Sequence, residues 1–263
     1  MVYKLSASKL KYYNTCPQAY YFKYERKLKD KGSFAQPDLG IALHDALASF
    51  YEDWHYCEPI PPQSRLHDAW GNVVQKLTPN HQAEGWRRLQ LYYQRFILEP
   101  GVMVKPLGIE QWVKSTVFVD NIEFELRGRY DRLDMTEGRL TLIDYKSGSP
   151  PRSLDDLDLQ LGFYDWILEG IYQHSLTEWQ LIYLKTGELI SYPVTDEHRA
   201  MSRELMANLA QAIKSDQEWT PCPGDHCDKC SFKIHCPVWN SEPIPLPEET
   251  RQAKPVQFSL RLI

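Results

Sequence analysis

The sequence has no apolar run that approaches the ~20 residues needed to cross a bilayer, and its first residues lack the apolar stretch of a signal peptide. With neither a helical span nor a leader in view, a cytoplasmic protein is expected. No Walker-type phosphate-binding loop is present, so the chain carries no sign of a helicase motor. Internal repeats are lacking too. So is net positive charge: the formal charge of −5 at pH 7 excludes a surface coated in basic residues, although net charge says nothing about local patches. What is present is material for one substantial core. The chain has 263 residues, 43% of them hydrophobic, which leads to the expectation of one domain with additions.

The clearest local patch lies at the start. Lys4, Lys9, Lys11, Lys23, Arg26, Lys27, Lys29 and Lys31 are opposed only by Glu25 and Asp30, and they interleave with Tyr3, Tyr12, Tyr13, Tyr20, Tyr21, Phe22 and Tyr24. Basic and aromatic residues together suit a surface that tracks a phosphate backbone and stacks on unpaired bases. A solvated helix packing its tyrosines inward explains the same pattern.

Ser6 is a plausible N-cap for a helix that breaks at Cys16-Pro17 and resumes through Gln18 to Tyr24. After a loop around Gly32 to Gly40, Ile41 to Trp54 reads as a helix, and Ser64 to Leu98 stays helical with a break at Pro79. The texture changes after Pro100-Gly101. Ile109 to Val119, Ile122 to Asp134 and Arg139 to Lys146 alternate apolar and polar residues between Asp120-Asn121 and Glu137-Gly138, which predicts three consecutive antiparallel strands. Asp155 to His174 is amphipathic, Trp179 to Leu184 and Leu189 to Val194 read as a hairpin across Thr186-Gly187, and Asp196 to Ser215 returns to helix. The fold class expected is α/β.

Within those strands stand Gly128-Arg129-Tyr130-Asp131-Arg132 and Leu142-Ile143-Asp144-Tyr145-Lys146. An Asp ending one strand and an Asp-x-Lys on the next can bring two carboxylates and an amine to one sheet edge. Two hard oxygen ligands suit Mg²⁺ or Mn²⁺, which polarises a phosphodiester and activates water. Lys146 beside that water would stabilise charge on the phosphate. Alternatively, Asp144 closes a turn and Lys146 is merely exposed.

Six cysteines in a reducing compartment are more naturally metal ligands or buried thiols than disulfides. Cys227, Cys230 and Cys236 are closely spaced but supply only three ligands, so a fourth must come from Cys222 or from Cys16, far upstream in Tyr12-Tyr13-Asn14-Thr15-Cys16-Pro17. Four thiolates complete the ligand set of an iron-sulfur cluster or of a structural zinc. His226 and His235 are possible zinc ligands or merely flank the site, and Cys57 reads as an ordinary free thiol.

Taken in order, Asp131, Asp144-Tyr145-Lys146 and Gln160-Leu161-Gly162-Phe163-Tyr164 resemble the successive motifs of the PD-(D/E)XK superfamily in its RecB-like branch. The resemblance implies a restriction-endonuclease-like core, a mixed sheet flanked by helices, in a nuclease domain over 1–240. Within it, 41–100 form a helical insertion, 105–195 the catalytic sheet, 1–25 and 220–240 a cysteine clasp, and 241–263 an extended tail. It further implies that His44, in Gly40-Ile41-Ala42-Leu43-His44, joins the carboxylates and the Tyr145 carbonyl in binding metal. Glu110 would be an additional acidic residue, with an exposed strand-edge glutamate as the alternative, and Gln160 and Tyr164 would face the active site from one helix. Cys16 resembles the first cluster cysteine of iron-sulfur members such as the AddB nuclease domain and the CRISPR-associated adaptation nucleases. That likeness implies a [4Fe-4S] cluster on Cys16, Cys227, Cys230 and Cys236.

The function so implied is metal-dependent cutting of DNA, as an exonuclease on single strands or ends. Repair or CRISPR adaptation proteins would be its partners. A catalytically silent DNA-binding or scaffolding module is the competing class, and a redox protein using its cluster is a third.

Overall fold

Strands β2 (Gly108–Val119), β3 (Ile122–Thr136) and β4 (Arg139–Lys146) form where β-branched and aromatic residues alternate with polar ones. In the computed structural model, which describes residues 2–28, 39–52, 54–150 and 157–247, Val113 and Val117 are buried from β2 and Phe124, Leu126 and Tyr130 from β3. Both connecting turns have left-handed backbone. Asp120 and Asn121 lie at φ 46° and 63°, Glu137 and Gly138 at 52° and 75°, the sign of the two-residue turns that match strand twist. The expected loop from Gly32 to residue 38, the helix start at 155–156 and the tail beyond Pro247 lie outside the described residues.

The chain divides into two compact units, residues 1–34, 116–126 and 204–263 in the first and 35–115 and 127–203 in the second. In the first unit, β1 (Tyr3–Leu5) runs parallel to Phe124–Leu126. Helix α1 (Ala7–Thr15) is capped by Ser6, whose Oγ accepts from the Lys9 amide at 3.2 Å. Cys16 is extended, Pro17 opens α2 (Pro17–Tyr20), and the chain widens into a π-helical turn over Tyr21–Glu25. Many of the tyrosines turn inward: Tyr20 and Tyr21 stack on Trp219, and Tyr13 donates to Asp216 at 2.8 Å. Lysines cover the outer rings, with Lys23 over Tyr12 and Lys9 over Tyr24.

In the second unit, β3 pairs antiparallel with β4, β4 pairs parallel with β5 (Leu176–Tyr183), and β5 pairs antiparallel with β6 (Glu188–Pro193). This is a mixed sheet. Ile143, Tyr145, Ile182 and Leu184 share one core with α3 (Leu39–Glu52), α4 (Gln63–Val73) and α5 (Pro79–Tyr93). The break expected at Pro79 is the start of α5, where proline has no amide to leave unpaired and Thr78 Oγ1 accepts from the His81 amide at 3.3 Å. Leu142 and Leu181, one residue out of phase, are buried on the opposite face. Helix α6 (Leu157–Tyr172) approaches β3 closely at Gly128, where a Cβ would stand 2.9 Å from Tyr164 Cε1, so a side chain there would push the helix away. Helix α7 (Asp196–Ser215) completes the set. Among the described residues, no helix is long and apolar enough to cross a membrane.

Candidate active site and cysteine recess

The register of β3 against β4 pairs Arg132 with Ile143, which sets Asp131 and Asp144 side by side on neighbouring strands. Asp131 Oδ2 accepts from the Tyr145 amide at 2.7 Å, and its Oδ1 lies 3.3 Å from His44 Nδ1. Helix α3 delivers His44, whose Nε2 stands 2.8 Å from the Tyr145 carbonyl. Glu110 joins from β2, with Oε1 3.5 Å from His44 Nδ1 and Oε2 accepting from Arg129 Nε at 2.9 Å. Its φ of +46° is a left-handed conformation that a β-strand residue rarely adopts, a local cost tolerated at this one position of β2.

Ligand atoms of His44, Glu110 and Asp131 all lie within 4.8 Å of one another. Glu110 Oε1 is buried without a hydrogen bond. The donors are two hard carboxylates and an imidazole, a set that fits a divalent ion of the Mg²⁺ or Mn²⁺ class. Burial alone would lower the pKa of the His44 ring, but its contacts with Asp131 and Glu110 and their charges outweigh this and push it up to about 10. Carboxylates that hold an imidazolium this firmly offer the same field to a metal cation, and a metal takes the ring in its neutral form. The Tyr145 carbonyl faces the ring nitrogen remote from the carboxylates. In this geometry it orients the imidazole, as backbone carbonyls do for metal-bound histidines.

Asp144 keeps different company. Its Oδ2 lies 2.6 Å from Lys146 Nζ, and its Oδ1 accepts from Gln160 Nε2 at 2.8 Å. Burial and then the Asp131 charge push the Asp144 carboxyl up to about 6, against the opposing pull of Lys146. Gln160 Oε1 in turn accepts from Lys146 Nζ at 3.4 Å. Four residues along α6, Tyr164 donates to the Arg129 carbonyl at 2.6 Å, and burial together with the charges of Asp144, Asp131 and Glu110 holds its hydroxyl well above the ordinary tyrosine range. Thus His44, Glu110, Asp131 and Tyr145 form one contact group, tied through Arg129 to Tyr164, and Asp144 and Lys146, which flank Tyr145 on β4, form a second with Gln160 of α6.

Two residues beside this site are not among the candidates that the sequence offers. Arg129 shares a period-two face with Asp131, a signal that was available; Arg88, which donates to the Ser147 carbonyl at 2.8 Å, comes from distant α5 and gave none.

In the first unit, Cys16, Cys222, Cys227, Cys230 and Cys236 line a small apolar recess together with Phe22 and Phe232. Burial raises the Cys230 thiol, and the neighbouring sulfur charges bearing on it are those of Cys16, Cys227 and Cys236. Backbone amides point at two of the sulfurs, Cys222 N–H at Cys16 Sγ (3.5 Å) and Gly224 N–H at Cys227 Sγ (3.4 Å). His226 lies 3.7 Å from Cys227 Sγ, whereas His235 is engaged with the Ile244 carbonyl. Cys57 is exposed.

The chain belongs to the PD-(D/E)XK nuclease superfamily, whose model matches residues 4–237, and its mixed sheet flanked by helices is the restriction-endonuclease-like fold. Among curated relatives it is 28% identical over 190 residues to a subunit of the ATP-dependent helicase/deoxyribonuclease of Desulforamulus reducens, covering 59% of this chain and 16% of that protein. The corresponding protein of Clostridium acetobutylicum is 30% identical over 197 residues, covering 61% of this chain and 17% of that protein. The chain therefore spans less than a fifth of these relatives' length. A crystal structure from Eubacterium rectale, provisionally described as an exonuclease, shares the fold with a TM-score of 0.51 at 11% identity, covering 86% of each chain.

Proposed function

We propose that the chain is a metal-dependent deoxyribonuclease acting as an exonuclease on single-stranded DNA or DNA ends. The observation that carries the reading is the convergence of His44, Glu110 and Asp131 within 4.8 Å of one another beside an Asp144–Lys146 pair. A divalent ion held by His44, Asp131 and Asp144, with Glu110 at its margin and the Tyr145 carbonyl orienting the His44 ring, would polarise the scissile phosphodiester and lower the pKa of water. Lys146, anchored by Asp144 and Gln160, supplies positive charge where the phosphate gains negative charge. Arg129 neutralises one oxygen of Glu110 and leaves the other to face the site. Tyr164, kept protonated, ties α6 to β3 and so fixes Gln160.

We read the cysteine recess as the seat of a [4Fe-4S] cluster on Cys16, Cys227, Cys230 and Cys236, stapling residues 1–25 to 220–240 of a nuclease domain over 1–240. Amides aimed at the sulfurs support this, since such hydrogen bonds accompany and tune these clusters. A tetrahedral zinc, with Zn–S near 2.3 Å, would draw its sulfurs to about 3.8 Å from one another. Zinc on the same four thiolates is the competing reading, and the metal content of the purified protein separates the two.

Likeness to components of a helicase/deoxyribonuclease favours work beside a DNA-unwinding partner in repair or recombination. Acquisition of foreign DNA with CRISPR adaptation proteins is the competing setting.

End-labelled single- and double-stranded DNA, each end followed separately with Mn²⁺ or Mg²⁺, tests the reading. Stepwise loss from an end, abolished in Asp144→Ala, is expected. Unchanged cutting in Asp144→Ala overturns the assignment of the site, and binding without metal-stimulated cutting on any substrate turns it to a silent DNA-binding module.

A further inference from the structure

The outer face of the β2–β3 ribbon carries Trp112 and Lys114 from β2 and Arg127, Arg129 and Asp131 from β3, each on the exposed or half-exposed side of a period-two alternation. Trp112 is 64% exposed, far more than an indole needs to be. The Arg127 guanidinium sits 4.8 Å from its ring centroid, which fixes the ring while most of it stays open to solvent. Trp112 lies two residues beyond Glu110 on β2, and Arg127 four residues before Asp131 on β3. At about 3.3 Å per strand residue, the Arg127 side of the platform stands about 13 Å along the strand from Asp131.

This strip unites the two chemistries that an unpaired strand offers. Purine and pyrimidine faces stack on an indole, and phosphates pair with guanidinium and ammonium groups. Three cations lie along the strip: Arg129 is paired with Glu110, while Lys114 and Arg127 are exposed beside the indole, with Glu125 two residues before Arg127 on the same face. The carboxylates of the candidate active site lie at one end of the strip, so a strand bound along it leads to them. Trp112 itself stands only about 7 Å along β2 from Glu110, so the indole lies about two stacked bases, and Arg127 about four, from the carboxylates at about 3.4 Å each.

The geometry points to Trp112 and Arg127 as a binding subsite for single-stranded DNA, with a base stacked on the Trp112 indole and the neighbouring phosphates on Arg127, Arg129 and Lys114. This inference rests on the nuclease reading and names the form of DNA the site takes. Stacking explains why an exposed tryptophan stands on a strand leading to carboxylates, and it favours unpaired over blunt duplex ends, whose bases are already stacked.

The test is binding by the whole chain, by fluorescence anisotropy in EDTA, of a labelled oligothymidylate and of a blunt hairpin duplex. Trp112→Ala is expected to weaken oligothymidylate binding about tenfold or more, to leave hairpin binding and the dependence on salt unchanged, and to leave the melting temperature unmoved. Trp112→Phe recovers most of the affinity. Arg127→Ala instead lowers the slope of log K against log salt by about 0.7. Unaltered oligothymidylate binding in Trp112→Ala, as expected if a protein partner covers the indole, overturns the subsite, as does an equal loss on the hairpin. Cutting that depends on Asp144 while Trp112→Ala binds normally sinks the subsite alone. Loss of single-strand binding in Trp112→Ala by a protein that cuts nothing sinks the nuclease reading alone.

Discussion

The backbone amide of Tyr145 donates a 2.7 Å hydrogen bond to Asp131 Oδ2, so the carboxylate that faces His44 also fastens β4 to β3 at the position between Asp144 and Lys146. One residue thus joins the strands and faces the candidate metal site, and substitution separates the two contacts. Asp131→Asn keeps an acceptor for the amide but loses the charge; Asp131→Ala leaves the amide without this partner. Cutting is expected to be lost in both, whereas urea denaturation should place Asp131→Ala about 1–3 kcal/mol below Asp131→Asn in stability. Equal stabilities would show that the amide finds another partner and that Asp131 does not fasten the strands.

Behind the site, Arg132 and Asp134 form a buried pair, 2.6 Å from Arg132 Nη2 to Asp134 Oδ2, with the guanidinium 4.2 Å from the Tyr51 ring centroid. Both residues are under a tenth exposed. A buried pair costs desolvation, so its removal as a whole is cheap while its halving is not. Asp134→Ala, which strands the Arg132 charge, is expected to cost about 3–5 kcal/mol, and the double replacement Arg132→Met with Asp134→Leu to come out near neutral or more stable. Denaturant unfolding of the three proteins decides, and an Asp134→Ala cost below that of the double replacement refutes the account.

On α5, hydrogen bonds from Arg87 and then Arg88 pull the Glu84 carboxyl down to about 2, against a small opposing effect of burial. Its unfolded value is near 4.3. A depressed folded pKa contributes stability that is present above the unfolded value and lost as pH falls through the folded one. Glu84→Gln is therefore expected to lower the urea midpoint at neutral pH, with the gap to wild type closing between about pH 4.3 and 2. Glu84 is partly exposed, so the effect is small and shrinks in high salt. A gap that stays constant across this range would show that the pair with the arginines contributes nothing. Arg88 also reaches the Ser147 carbonyl, so slower cutting in Glu84→Gln would trace to the segment after Lys146.

Much of this was legible in sequence because it is local. The alternation through Val113, Val117, Phe124 and Tyr130 marks strands wherever it occurs, and the short Glu137-Gly138 turn constrains Asp131 and Asp144 to adjacent strands. Long-range features left no such trace. The strand Tyr3–Leu5 is three residues long, and its partner Phe124–Leu126 lies over a hundred residues away. The inward turn of Tyr20 and Tyr21 depends on Trp219, whose own φ of +50° no pattern foretells. Glu110 reaches His44 from a left-handed backbone, which spacing along β2 cannot predict. Cys16 was connected to the C-terminal cysteines only through family likeness, since spacing alone left Cys222 as its rival.

That rivalry is open to a direct test. Cys222 reaches the recess, but its contact with Cys16 is made by its backbone N–H, which serine retains, and its own side chain is exposed. Cys57→Ser and Cys222→Ser are therefore expected to stay brown with about four irons per chain when purified without oxygen. Cys16→Ser, Cys227→Ser, Cys230→Ser and Cys236→Ser should lose colour and iron. If the cluster staples the N-terminal helices to the segment after Trp219, these four variants also melt at lower temperature, while Cys57→Ser does not. Retention of iron in Cys16→Ser with its loss in Cys222→Ser would move the site wholly to the C-terminal segment. A colourless wild type holding one zinc per chain would replace the cluster by a structural ion.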